Sequence, residues 1–523
     1  MDIEGLAQAL RPDVSATLGS EFATQKLTRV AESSARYIAL DLGERRDIVD
    51  QLQDTLDGNL WNRLGNHWAA LSQAFASKDL DIRGDTEREL IGLSLALAKL
   101  ERNLLAGLEE YQRAAIGHEE SIRALLFHIT TFSRIEDEKY FQLQAVGTQL
   151  LSNLVSPIRP EDDKQGAADE KLAIYLSGNR EDDVISRLLD SKDPKTNLAI
   201  IHFLNNLTRS SRRRCELLLS RPSGISWLSR LLDKLEIFHD TSEGCFELAT
   251  QIFTTFIALN LHSRLFGALA SAKEPISPSQ TSLLKVIDAH LHRGLDMDLN
   301  ANVLLVPVFH LLSAYCVVSM RSGRDDPRLP KVFEGLHLVC EILCGVGLAV
   351  QAKVDEGGVR HREELESLSG AEVVREMKLG KGERKGLVEP TINLLKELET
   401  FLPRTNPRLA RSENAPPPIP PDQARPIAQL KRVLVELLGV MTFGDTQVGD
   451  EVREAGGVQL VLGMTEMDEG NPYLREHALL VVRNLMLGNP ANQALIGQMD
   501  PVGVLRQNGE LLPVPERMRR SEQ

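Results

Sequence analysis

Aromatic residues, cysteines and positive charge are all scarce in this sequence. Aromatic side chains make up 5% of 523 residues. A β-sandwich or barrel draws on more of them, whereas abundant Leu, Ala and Val suit stacked helices. Five cysteines, Cys215, Cys245, Cys316, Cys340 and Cys344, are odd in number and lie in apolar surroundings. That excludes a disulfide framework and points to reduced thiols in a cytoplasmic compartment. The formal net charge is −14, so no general affinity for nucleic acid or anionic lipid is expected. The one basic run, RSSRRR at 209–214, reads as a solvated loop after a helix. The N-terminal MDIEGLAQALRPD lacks a basic region followed by an apolar core, so no secretory signal is expected.

Long uncharged runs are equally rare. Residues 299–320 carry no formal charge over 22 positions, which meets the length of a membrane span. They include Asn300, Asn302, Pro307, His310, Ser313 and Ser319, polar groups that are costly in hydrocarbon. A buried helix starting near Pro307 accounts for the run, and no membrane span is expected.

Catalytic signatures are also missing. His118-Glu119-Glu120 begins like a zinc-protease helix, but Ile122 stands where the second His is required. There is no GxSxG, no GxGxxG and no complete phosphate loop. These patterns imply neither an enzyme nor a cofactor. One metal reading remains as an alternative. His337, Cys340 and Cys344 share a helical face and could hold copper or zinc with a fourth donor, although Leu336, Val339, Leu343 and Val346 around them favour packing cysteines.

What the chain does contain is helical periodicity. Leu90, Leu93, Leu97, Leu100 and Leu104 recur at i, i+3, i+4 within a helix expected over 85–115. Trp61 and Trp68, seven apart, fall on one helical face as core anchors. Three helices end alike, in LLSNLV (150–155), FLNNLT (203–208) and VRNLM (482–486). From Asn206 to Ile225 is 19 positions, and from Asn484 to Val502, as from Val440 to Val458, is 18. Such self-similarity fits a helical repeat of about 40–47 residues. Residues 355–389 are charged and glycine-containing and read as a flexible insertion with one exposed helix. Residues 403–426 hold eight of the 24 prolines, including PPPIPP, and read as an extended linker.

After the linker comes the most informative stretch, 430–501. Gly456-Gly457 is a left-handed stop after one helix. Asn471-Pro472 provides a cap and first residue for the next. Leu474, Ala478, Val481 and Leu485, with Leu479, Leu480 and Val482 between them, make that helix apolar nearly all round, so it should be covered on several sides. This is armadillo-type grammar. VREAGGVQLVL (452–462), Asp468, NPYLRE (471–476) and RNLMLGNPANQALI (483–496) together resemble the C-terminal domain of the ataxin-10 family, its fungal homologues included. Val440-Met441 stands where that family usually has Asn-Leu, and His477 where Trp is common.

The expected fold is therefore an all-α, armadillo-like solenoid. A degenerate array spans 1–402, a Pro-rich linker 403–426, an ataxin-10-type domain 427–510 and a tail 511–523. The expected role is a non-catalytic scaffold that binds other proteins along the solenoid surface, with homo-oligomerisation left open. The resemblance implies a part in cytokinesis and cell-division regulation. Candidate contacts are Asn153, Asn206 and Asn484, whose amides can both donate and accept, joined by Arg475 and Arg483 as an acid-reading surface. An importin-like transport adaptor is the second alternative, but three Trp, at 61, 68 and 227, cannot build a regular Trp ladder.

Overall fold

The computed structural model describes all residues except 1, 41–42, 78–83, 159–165, 181–182, 295–296, 324, 358–366, 404–420, 500–503, 506–510 and 513–523. Among the described residues the regular structure is helical, apart from a hairpin in which Val504–Leu505 pairs antiparallel with Leu511–Leu512 and a single bridge between Lys381 and Arg384. It divides into two compact units, Met1–Leu269 and Ala270–Gln523.

In the first unit long helices stand side by side in a row. Glu21–Leu40 packs on Gly84–Leu105, which packs on Glu138–Val155, then Pro194–Thr208, then Glu243–Ala258. Shorter helices between them close each repeat from the other side. Local chemistry sets several of the starts: Asp193 accepts from the Thr196 amide with Pro194 at the first helical position, and Ser211 caps Arg212–Ser220 in the same way. These caps satisfy amides that a helix start leaves unpaired. The expected 85–115 helix is instead two. Gly107, at φ 79°, turns the chain after Leu105, and Glu109–Ala115 runs separately. Trp61 and Trp68 are buried, as their spacing required.

The second unit repeats the scheme. Its row runs Pro278–His292, Leu329–Gly357, Pro421–Thr442 and Leu474–Met486. Behind it Leu305–Ser322 meets Val388–Phe401, which meets Thr446–Glu454, which meets Pro490–Gly497. Leu299–Ser322 and Leu329–Glu356 are long and apolar enough to cross a membrane by length and composition. Within the unit they pack against each other, burying Phe309, Leu312 and Cys316 on one side and Val339, Cys340 and Leu343 on the other.

Three expectations change here. The part of 355–389 that is described is not an exposed insert, because Ala371–Leu379 buries Val373 and Met377 and Glu376 forms ion pairs with Lys381 and Arg384. The linker reading falls largely on 404–420, outside the described residues, and its last positions already belong to the Pro421–Thr442 helix, which contains Pro426. Asn471 is not the cap of the following helix, which begins at Leu474 with no side-chain cap. Its amide donates across to the Ala428 carbonyl at 2.7 Å. Gly456 does adopt the left-handed turn, at φ 72°.

The close approach in the second unit is at Gly347. A Cβ there would lie 2.3 Å from Val440 Cγ1, so the Leu329–Gly357 and Pro421–Thr442 helices meet where one side chain is absent. Gly347→Ala is expected to destabilise the full chain by about 1–3 kcal/mol through overpacking, measured by urea denaturation. Gly267→Ala, at an exposed helical position with nothing within 4 Å, should be neutral or stabilising. Equal effects from the two would contradict this packing.

Candidate functional site

The Asn-Leu pairs that recur in the sequence fall near the C-terminal ends of the row helices, where each reaches its neighbour. Asn153 Nδ2 donates to the Arg102 carbonyl at 3.0 Å. Asn206 Nδ2 lies 3.3 Å from Ser152 Oγ. Asn103, also followed by Leu, donates to the Ala35 carbonyl at 2.8 Å. The register is constant, since Arg102 and Ser152 each precede the Asn of their own helix. Sequence reasoning missed Asn103, although Asn103-Leu104 carries the same signal. In the second unit Asn484 Nδ2 donates to the Gly439 carbonyl at 3.1 Å, and Gln351 Nε2 to the Val440 carbonyl at 3.1 Å. Val440 thus occupies the Asn place without its amide, and Gln351 supplies the missing bond from the preceding helix.

One of the two N–H donors of each of these amides is therefore used between helices, and the acceptors differ. Arg102 donates to Asn103 Oδ1 at 3.0 and 3.1 Å. Among the described residues Asn153 and Asn206 have no donor on their oxygens. Asn205 is 5% exposed and donates to Gln251 Oε1 at 3.1 Å, while its own Oδ1 is buried without a partner. An unpaired buried carbonyl oxygen is costly. The first unit thus presents a strip of amides, Gln149, Asn153, Asn206 and Gln251, with acceptor capacity left over.

Other candidates turn out to be structural. The basic run after Thr208 is used within the chain: Arg212 pairs with Glu216 and Arg213 with Asp169, while buried Arg214 donates to the Leu207 carbonyl and pairs with Asp169. His118 lies 2.7 Å from buried Glu101, which also accepts from Trp68 Nε1 at 2.6 Å. Glu119 is buried against Arg123, Lys171 and Tyr175. No zinc-protease geometry forms around these residues. Among the described residues no group of three or more His, Cys, Asp or Glu is placed to hold a metal ion. Cys340 and Cys344 are buried, and desolvation pushes their thiols well above the ordinary range. His337 faces Glu341 at 3.5 Å instead. All three Trp are buried, so none lines a groove. Arg475 and Arg483 are exposed, with no ion pair among the described residues.

Two buried histidines of the first unit titrate in opposite senses. Burial, with Arg63 nearby, lowers His67 to about 4, and both its ring nitrogens lack partners. Burial would lower His118 as well, but the charge and hydrogen bond of Glu101 more than offset it and the net shift is upward. His67 therefore takes its proton more readily unfolded than folded. Stability is unaffected above about pH 6.5 and falls between there and about pH 4, by at most about 1.4 kcal/mol per pH unit. His118 acts in the adjoining window: its contribution is complete below about 6.5 and lost as pH rises through its raised folded value. Urea titrations at pH 7.5 and 5.0 should show His67→Leu losing less stability on acidification than the parent chain, and identical losses would contradict the assignment. Asn153→Ala, which removes one inter-helix donor, should cost about 1 kcal/mol in the same assay; no loss would show that the bond is not part of the folded state in solution.

Comparison with known proteins bears on the C-terminal segment. Residues 430–517 match the family model described as the spinocerebellar ataxia type 10 protein domain. An ataxin-10 homolog of Kluyveromyces lactis is 39% identical over 71 residues, which are 14% of this chain and 13% of that protein. An ataxin-10 homolog of Dictyostelium discoideum is 36% identical over 78 residues, 15% of this chain and 13% of that one. Ataxin-10 of Bos taurus is 32% identical over 74 residues, 14% and 16% of the two chains. The likeness thus spans about a seventh of the length on either side. It takes in the Asn484–Gly439 tie, the Gly456 corner and Asn471, the contacts that fasten this segment together. The similarity to the ataxin-10 family is therefore that of residues 430–517, which match its spinocerebellar ataxia type 10 protein domain.

Proposed function

We propose that the chain is a non-catalytic cytoplasmic scaffold that docks an extended segment of a partner protein along the amide strip of its first unit, in the regulation of cytokinesis. The observation that carries the docking is the acceptor left without a donor on exposed Asn206, beside Asn205, whose Oδ1 is enclosed and unpaired. A backbone N–H laid along the row would meet Asn206 and Asn153 directly, and would reach the Asn205 oxygen only as that side chain turns outward. Acceptors left without donors along a row of helices suit a ligand that brings donors at regular intervals. The ordinary chemistry of the buried ion pairs and the five free, buried cysteines support a binding role in a reducing compartment. The part in cell division rests on the resemblance to the ataxin-10 family.

Replacing Asn205 by Leu and Asn206 by Ala in the full chain removes two acceptors without adding charge. Affinity purification with quantitative mass spectrometry from the source cells should recover the principal partners at roughly a tenth of the parent level or less, with the circular-dichroism melt still cooperative. Depletion of the protein should delay cell separation, and the variant should rescue it poorly. An unchanged partner set from a folded variant would remove the strip as the docking surface. Normal division after depletion would remove the cytokinesis role.

A further inference from the structure

Short helices of the first unit also follow one another, apart from the row. Ala167–Tyr175 meets Arg212–Ser220, which meets His262–Ala268. Among them lies a cleft of about 450 Å³, within the range that holds a small ligand. Ala173 and Leu217 give it an apolar lining, and Asp169, Arg213, Glu216 and Arg264 bring charge to it.

Most of the charge nearby is already used. Arg212 pairs with Glu216 and donates to the Leu259 carbonyl at 2.8 Å. Buried Arg214 is held between the Leu207 carbonyl and Asp169, and Arg213 shares Asp169 at 3.1 Å. Arg264 differs. It stands 50 positions after Arg214, just as its helix starts 50 positions after Arg212, so the two occupy one place in successive repeats. Arg214 is buried and fully engaged there, whereas Arg264 reaches only Glu216, at 3.9 Å, with its side chain 56% exposed.

Four guanidiniums thus share two carboxylates, and the cluster keeps two positive charges in excess on a chain of net charge −14. A positive surplus in a cleft concentrates anions, and its size selects among them. A carboxylate would balance one charge of the two. A phosphate monoester carries roughly −1.5 to −2 at neutral pH with three acceptor oxygens, enough to take donors from Arg213 and Arg264 together. The guanidinium fork matches that geometry. A nucleic-acid backbone supplies one charge per phosphate and meets the repulsion of an acidic chain. The lining of Ala173 and Leu217 calls for an apolar group beside the phosphate, which inorganic phosphate lacks.

We propose that this cleft binds a phosphoserine or phosphothreonine of another protein, with the phosphoryl group on Arg213 and Arg264 and an apolar neighbour on Ala173 and Leu217. This rests on the scaffold reading but uses side chains separate from the amide strip, so different variants test the two.

The test uses the full chain and three fluorescein-labelled peptide pools. Each has apolar residues randomised on both sides of one fixed position, which is phosphoserine, serine or glutamate. By fluorescence anisotropy the phosphoserine pool should bind at least roughly tenfold more tightly than the serine pool and more tightly than the glutamate pool, with a preference that shrinks as salt rises. Arg264→Gln, which gives up one long ion pair, should weaken the phosphoserine pool roughly tenfold with an unchanged circular-dichroism melt. Arg213→Gln should do the same, since Arg214 keeps Asp169 paired. Arg209→Gln, exposed and outside the cleft, should change nothing. Equal binding of the phosphoserine and serine pools, no binding of either, indifference to Arg264→Gln, or an equal loss from Arg209→Gln would overturn the proposal. So would displacement by inorganic phosphate as effective as by unlabelled phosphoserine pool, since a small anion would then be the occupant. Tighter binding of single-stranded DNA with the same dependence on Arg264 would overturn it in favour of nucleic acid. Loss of partners in Asn205→Leu with Asn206→Ala leaves all these readings unaffected.

Discussion

The structure depends on how closely long helices can lie side by side. Each inner row helix buries an apolar face against the helix before it and the helix after it, so no repeat has a complete core alone. Burial supplies the drive and is indifferent to sliding. The inter-helix amides fix the register, because a side-chain donor such as Asn153 Nδ2 meets one carbonyl and no other. A net contribution near 1 kcal/mol for each such bond is small beside the apolar burial, yet it distinguishes one alignment from its neighbours. Where the amide is lost, as at Val440, the contact is made by other means: a glycine at 347 lets the backbones approach, and Gln351 supplies the bond.

That arrangement explains how a polar residue repeated inside apolar helices can serve both structure and recognition. An amide has a donor end and an acceptor end. Along the first unit one N–H of the amide is used by the neighbouring helix, and the second N–H and the oxygen of Asn153 or Asn206 remain toward a ligand. The two roles are not rivals at these positions. They do constrain mutation, since replacing such an Asn affects stability as well as binding. Arg264, at the cleft among the short helices, carries no such double duty, because one ion pair at 3.9 Å is all it makes among the described residues.

Much of this was legible in the sequence, since repeat signals are local. Helix content, the Asn-Leu endings, the Gly456 corner and the structural nature of the tryptophans and cysteines all follow from spacing and composition. The misses share one cause, which is that they are decided by tertiary contact. Asn471 looked like a helix cap, the commonest use of Asn before Pro, but a carbonyl 43 positions earlier claims its amide. The charged stretch containing Ala371–Leu379 looked solvated, yet Val373 and Met377 are enough to seat it. The Leu474–Met486 helix reads as apolar all round, but Leu479 and Leu480 are each 49% exposed, and composition cannot say which side lacks a neighbour within the chain. Asn103 is the exception, since Asn103-Leu104 carries the same local signal as the other endings, set within an uninterrupted leucine pattern.

Hydrogen exchange on the intact chain reaches the stacking itself most directly. Gly84–Leu105, Glu138–Val155 and Pro194–Thr208, each flanked on two sides, should hold their amide protons longest, and Pro421–Thr442 should match Leu329–Gly357. Short outer helices such as Glu109–Ala115 should exchange sooner. Protection that tracks helix length alone, or a segment at 421–442 that exchanges freely while Leu329–Gly357 stays protected, would contradict the row as the source of order.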